Sequence, residues 1–164
     1  FDRELFVFSQ LAPYQNWDAF IVEGLRLWQK YLDISSVDML QRIGVRFINA
    51  FPVRSENTSL SEYFSAPVPP ASCFAGARLG GFLHQEQYLV EGRPYSVTII
   101  RTVQQIPGNT GQGELILDVD VATTEPVLSD EKQINMHLRE MHTLKNRAFF
   151  GCLATAYLDQ LQGK

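Results

Sequence analysis

The chain switches between two hydrophobic periods, and the switches mark out its elements. Residues 5–11 (LFVFSQL) place apolar side chains loosely at every second position, which predicts a strand. Ala12, Pro13, Tyr14 and Gln15 interrupt it. From there the period lengthens. Trp17, Ile21, Gly24, Trp28 and Tyr31 recur at steps of three and four, the spacing of one helix face, to about residue 32. Asn16 suits the N-cap, and Asp18 puts negative charge in the first turn, where the helix end is positive. Gly24 costs about 1 kcal/mol relative to Ala inside a helix, so its expected use is to let a strand or another helix approach closely.

Period two returns over residues 41–53 (QRIGVRFINAFPV). Ile43, Val45 and Phe47 fall on one side, and Arg42, Gly44 and Arg46 on the other. Pro52 is expected to close this strand. Ser59 and Glu62 have the spacing of a capping box, and the proline-rich run APVPPAS (residues 66–72) predicts an extended loop. A three-stranded antiparallel meander follows over residues 77–90, 95–106 and 114–123, with the flexible run PGNTGQG before its last strand. Leu115, Leu117, Val119 and Val121 share one face of that strand, and Asp118 and Asp120 share a face at i and i+2. Pro126 is expected to stop pairing. Asp130 and Gln133 suit the cap of a final helix running from about residue 131 past Leu153. Its apolar stripe is Ile134, Leu138, Met141, Ala148 and Cys152, and Lys145 interrupts it.

Strands grouped together with helices at both ends predict an α+β domain. The expected fold is a mostly antiparallel, twisted sheet of about five strands, with two long helices packed on one face and all 164 residues in a single domain. Residues 71–112 carry only five charged side chains (Arg78, Glu86, Glu91, Arg93 and Arg101), so one sheet face is expected to be covered or to bind a partner.

Composition narrows the classes. An apolar share of 45% is enough for a core, which excludes disorder. No apolar run approaches the roughly 18 residues of a membrane span. The 14 basic residues against 18 acidic ones give a net charge of −4, which argues against broad phosphate-backbone binding. Cys73 and Cys152 are too few for a disulfide framework and read as reduced thiols of a cytoplasmic protein. The expectation is therefore no membrane and no nucleic-acid partner.

Candidate chemistry is sparse. His137 and His142, five residues apart, would point about 140° away from each other on a helix and cannot share one ion, so they read as helix surface. His84 has no Cys or Asp at ligand spacing. PGNTGQG lacks the ending of a phosphate loop and precedes a strand. Neither cysteine has an evident base, and Cys152 reads as a small buried side chain. No metal site and no cofactor is expected. What remains is a polar set: Arg46, Asn49, Asp118, Asp120, Lys145 and Arg147. Arg46–Asp118 and Arg147–Asp120 are feasible ion pairs, and two neighbouring carboxylates favour a cation or a raised pKa.

The segments FSQLAPYQNWDAF, GLRLWQKY, RIGVRFINAF, LSEYF, ILDVDV and LKNRAFF, in this order, resemble a sporadically distributed bacterial protein family of unassigned function. The matching positions are Arg42, Gly44, Arg46, Asn49, Asp118, Asp120, Lys145, Asn146 and Arg147, none with a known role. Gly24 departs from the Ala expected of the family. Its members look longer, so the resemblance implies that this chain is the C-terminal portion of such a protein. The leading expectation is a non-catalytic protein-interaction or binding domain. Its partner would be another protein, the chain's own N-terminal segment or a second copy. The alternatives are a small-molecule site with the polar cluster between sheet and last helix, and an enzyme using Asp118 and Asp120 as an acid–base pair.

Overall fold

The computed structural model describes residues 5–11, 13–53, 59–67, 72–74, 81–105 and 113–161. It is an α+β fold. The helix α1 (Trp17–Leu32) is capped by Asn16, whose side chain accepts a hydrogen bond from the Ala19 amide at 2.8 Å. The strands β1 (Met39–Leu40) and β2 (Gly44–Val53) follow, then a 3-10 turn at Leu60–Glu62 with the Ser59–Glu62 capping box. The meander is β3 (Leu83–Leu89), β4 (Tyr95–Gln105) and β5 (Gly113–Thr123). A short β6 (Val127–Leu128) leads into α2 (Glu131–Cys152) and α3 (Thr155–Leu161).

The main sheet has four antiparallel strands in the order β2-β5-β4-β3, and β1 pairs with β6 in a separate two-stranded sheet. β5 is therefore central, and its phase decides the layers. Leu115, Leu117, Val119 and Val121 all point to one side and are fully buried. Their cross-strand neighbours Phe51, Phe47 and Val45 on β2, and Val97 and Ile99 on β4, continue the same face. α2 lies over it through Ile134, Met141 and Leu144. α1 runs antiparallel beside α2: Trp17 meets His142 near one end, and Gln29 bonds Glu131 near the other. Both long helices thus sit on one side of the sheet, as the pattern predicts.

Four details differ from the sequence expectation. Residues 5–11 form no strand: among the described residues they make no main-chain hydrogen bond. They run back along α1 instead, with Phe6 against Trp28 and Tyr31 and Phe8 against Phe20. Pro52 lies inside β2 rather than closing it, which an edge strand tolerates because one row of its amides needs no ladder partner. Pairing resumes directly after Pro126, where Val127 and Leu128 meet Met39 and Leu40. The last helix stops at Cys152, and Leu153 turns extended (φ −87°, ψ 143°) to bridge Phe64. The Cys152 carbonyl accepts from the Ser65 amide and the Tyr63 carbonyl from the Ala154 amide, so tertiary bonds replace helical ones. Residues 68–71 of the expected loop, 77–80 of the expected first meander strand and 107–112 of the run PGNTGQG lie outside the described residues.

At Gly24 the close neighbour is neither a strand nor a helix but the Phe8 side chain of the irregular segment 5–11. A Cβ placed there would lie 3.2 Å from Cδ1 of Phe8. Phe8 is only half-buried and can yield a few tenths of an ångström, so Gly24→Ala should change stability by no more than about 1 kcal/mol. Gly24→Leu should cost about 1–3 kcal/mol through overpacking. It should also raise amide exchange in the turns of α1 beneath residues 5–11, checked by urea denaturation and hydrogen–deuterium exchange.

Candidate functional site

Alternation along β2 and β5 sorts the expected polar set onto two faces. Arg42, Gly44 and Arg46 point away from the helices, as do Asp118 and Asp120. Gly44 and Arg46 on β2, with Arg42 just before the strand, thus face D-x-D on β5. Arg46 is opposite Asp120 in register but leans along the strand to Asp118. Its Nε donates to both carboxylate oxygens at 3.0 and 3.1 Å, and its Nη2 donates to Oδ2 at 2.6 Å. These hydrogen bonds, and then the attraction of the carboxylate charge, raise the Arg46 pKa further. Arg42 leans the same way and donates to Asp120 at 2.6 Å. It crosses directly over Gly44, where a Cβ would sit 2.5 Å from its Nη1.

The stacking of this pair is uneven. The Asp118 side chain is 8% exposed, while Arg46 above it is 57% exposed. Arg42 is likewise more open than Asp120. The carboxylates form the floor and the guanidiniums the surface. Around them lie Ile100 and Ile116, half-buried, and Ile48, 63% exposed on the edge strand. Each carboxylate is already engaged by an arginine.

The remaining candidates are elsewhere. Asn49 shares the phase of Phe47 and Phe51 and points to the helix side, where its Nδ2 donates to the Leu117 carbonyl at 3.1 Å. Lys145 is also on the helix side, with Nζ 4.0 Å from the centre of the Phe47 ring. Arg147 is exposed on α2, across the sheet from Asp120, so the Arg147–Asp120 pair does not form. The cluster expected between sheet and last helix is therefore split by the sheet itself. Side chains one residue apart on a strand go to opposite faces, and the helix residues cannot reach the open one.

Two further constellations were not legible as sites. On β4, Arg101 is in phase with Val97 and Ile99, so a guanidinium enters the helix side and is buried. It donates to the Ala66 carbonyl at 2.7 Å and to Glu86 at 2.9 Å, and it meets His84 at 2.9 Å. Its Nε is left without a partner. Cys152 is close by: burial raises its thiol pKa, Arg101 opposes the shift, and Glu86 adds to it. The cluster ties the loop at Ala66 to the sheet beneath the end of α2. An arginine in the apolar phase of a strand was the signal for it.

The second constellation is aromatic. Trp17 stacks flat on His142, with centroids 4.2 Å apart and 2° between planes. Tyr14 and Trp17 both meet Phe47. His137 and His142 are thus not solvated helix surface: His137 bonds the Tyr95 hydroxyl at 2.7 Å, and His142 joins the rings. Burial lowers the His142 pKa, Lys145 lowers it further, and Asp18 opposes both. Burial alone lowers that of Lys145.

No family model, curated protein or solved structure matches this chain. Among the described residues, no helix is long and apolar enough to cross a membrane.

The lowered His142 pKa has a definite consequence for stability. Below the unfolded value, near 6.5, the unfolded chain binds a proton that the folded chain resists. Stability contributed by the neutral imidazole is complete above that pH and is lost as pH falls through it towards the folded value. Urea midpoints should therefore fall between pH 7.5 and 5.5 in the natural chain, and fall less in His142→Gln.

Proposed function

We propose that this domain is a non-catalytic protein-binding module. In this reading, the open sheet face docks an acidic, aliphatic-bearing segment of a partner protein. The observation that carries it is the layering of the Arg46–Asp118 pair beside Ile48. The carboxylate is beneath, the guanidinium is above, and an isoleucine next to them stays largely in water. A partner meeting this face encounters two arginines, Arg42 and Arg46, flanked by aliphatic side chains. Each guanidinium keeps N–H donors that its aspartate does not use. An acidic side chain can take these in charge-assisted bonds while its neighbours cover Ile48, Ile100 and Ile116. Two strong pairs already formed within the domain keep the arginines in position, so little side-chain entropy is lost on docking.

A photo-crosslinking residue at position 48, in the protein expressed in its own cells, tests this reading. Position 139, exposed on α2, serves as the control. The expected result is an adduct at 48 to a peptide rich in Asp, Glu and aliphatic residues. It should weaken in the Arg42→Gln background and at raised salt. No adduct above the control would overturn the proposal. So would an adduct to nucleic acid, to a second copy, or to a basic segment, or one indifferent to salt.

A further inference from the structure

The helix side of the sheet holds an amine whose neighbours are aromatic rings rather than a carboxylate. Lys145 occupies a position on the apolar stripe of α2, facing β2. Its Nζ sits over the Phe47 ring, half-buried, and has no carboxylate at ion-pair distance among the described residues. Buried charges in proteins are nearly always paired, so an unpaired one is either a liability or a tool. The surroundings favour a tool. One turn earlier on the same helix face is His142, with its ring pinned flat against Trp17. Tyr14 meets the Phe47 ring and is itself partly open to solvent, so the amine lies beside a cluster of rings near the surface rather than in the deep core. The carboxylate that bears electrostatically on this corner is Asp18, in the first turn of α1, and it acts on His142 and Tyr14.

We propose that Lys145 is a nucleophilic amine that condenses with small carbonyl compounds, with His142 as its proton-relay neighbour. Desolvation is an ordinary means of making a lysine reactive at neutral pH, and Lys145 is half-buried among aromatic rings. In the step envisaged, the free Nζ attacks the carbonyl carbon and the C–N bond forms as the C=O pair moves to oxygen. A proton passes from nitrogen to that oxygen through the imidazole. The hydroxyl then takes up a proton from solvent through the imidazole and leaves as water, giving the iminium, and loss of the N–H proton gives the imine. The sum is amine plus carbonyl to imine plus water, with no oxidant or reductant required. The aromatic walls suit a small aldehyde or ketone with an apolar substituent. The site lies across the sheet from the docking face proposed above, so either proposal can fail without the other.

The test is the chain's own lysine reactivity. The folded protein is treated with propanal at pH 7, with cyanoborohydride present to trap the iminium, and adducts are located by peptide mass mapping. Lys145 should be modified several-fold faster than Lys30 and Lys132. His142→Gln should slow the propanal reaction at Lys145 while leaving its acetylation by an activated ester little changed, because acetylation needs no relay to a carbonyl oxygen. Phe47→Leu, which keeps an apolar wall, should preserve most of the selectivity and guards against variants that merely unfold. Modification of Lys145 no faster than Lys30 and Lys132 would overturn the proposal. An equal loss of both reactions in His142→Gln would remove His142 from it.

Discussion

Asp118 stands on a strand flanked by neighbours at both edges, and Arg46 is what allows a buried carboxylate to stay there. β5 is the central strand of the main sheet, with an unbroken aliphatic row under α2. Its opposite row has to carry whatever the alternation leaves, and here it leaves two aspartates. Unpaired, Asp118 would face a desolvation cost of several kcal/mol. The three hydrogen bonds from Arg46 offset that cost while the outer side of the guanidinium keeps its water. The register between β2 and β5 is thereby fixed twice. Aliphatic side chains specify it from beneath and ion pairs from above, and a one-residue slip would destroy both.

From this strand the rest of the arrangement follows. The aliphatic row requires a helix with a matching stripe, and α2 supplies it. α1 then packs beside α2 and over the edge of β2. That placement brings Trp17, Phe47 and His142 together and encloses the Lys145 amine. The two sides of one sheet consequently have unlike chemistries: paired charges among exposed aliphatics on the open face, and an unpaired amine among aromatic rings at the helix rim.

Much of this was legible in the sequence where a short local rule decides the outcome. The phase of Arg42, Gly44 and Arg46 against Ile43, Val45 and Phe47 follows from strand geometry alone. The caps at Asn16, Ser59 and Asp130 follow from side-chain chemistry. The failures share another cause. LFVFSQL has strand propensity, but propensity supplies no partner. Met39–Leu40 and Val127–Leu128 are too short to show a period and exist because the fold brings them together. The break at Leu153 carries no proline; the bonds from the Ser65 amide to the Cys152 carbonyl and from the Ala154 amide to the Tyr63 carbonyl impose it. The polar set was named correctly in its centre, Arg46 with Asp118, but was spread across a sheet that separates its members. His142 was missed because a stacking partner 125 residues away, Trp17, leaves no mark in local sequence.

The central claim is that Arg46 and Asp118 act as one unit that keeps β5 in place. A double-mutant cycle with Arg46→Gln, Asp118→Asn and the double variant, read by urea denaturation, measures it directly. The account predicts a coupling energy of about 1–2 kcal/mol, below that of a fully buried pair because Arg46 is partly in water. Each single variant should lose more stability than the remaining partner can recover. Additivity of the two substitutions to within about 0.5 kcal/mol would contradict it.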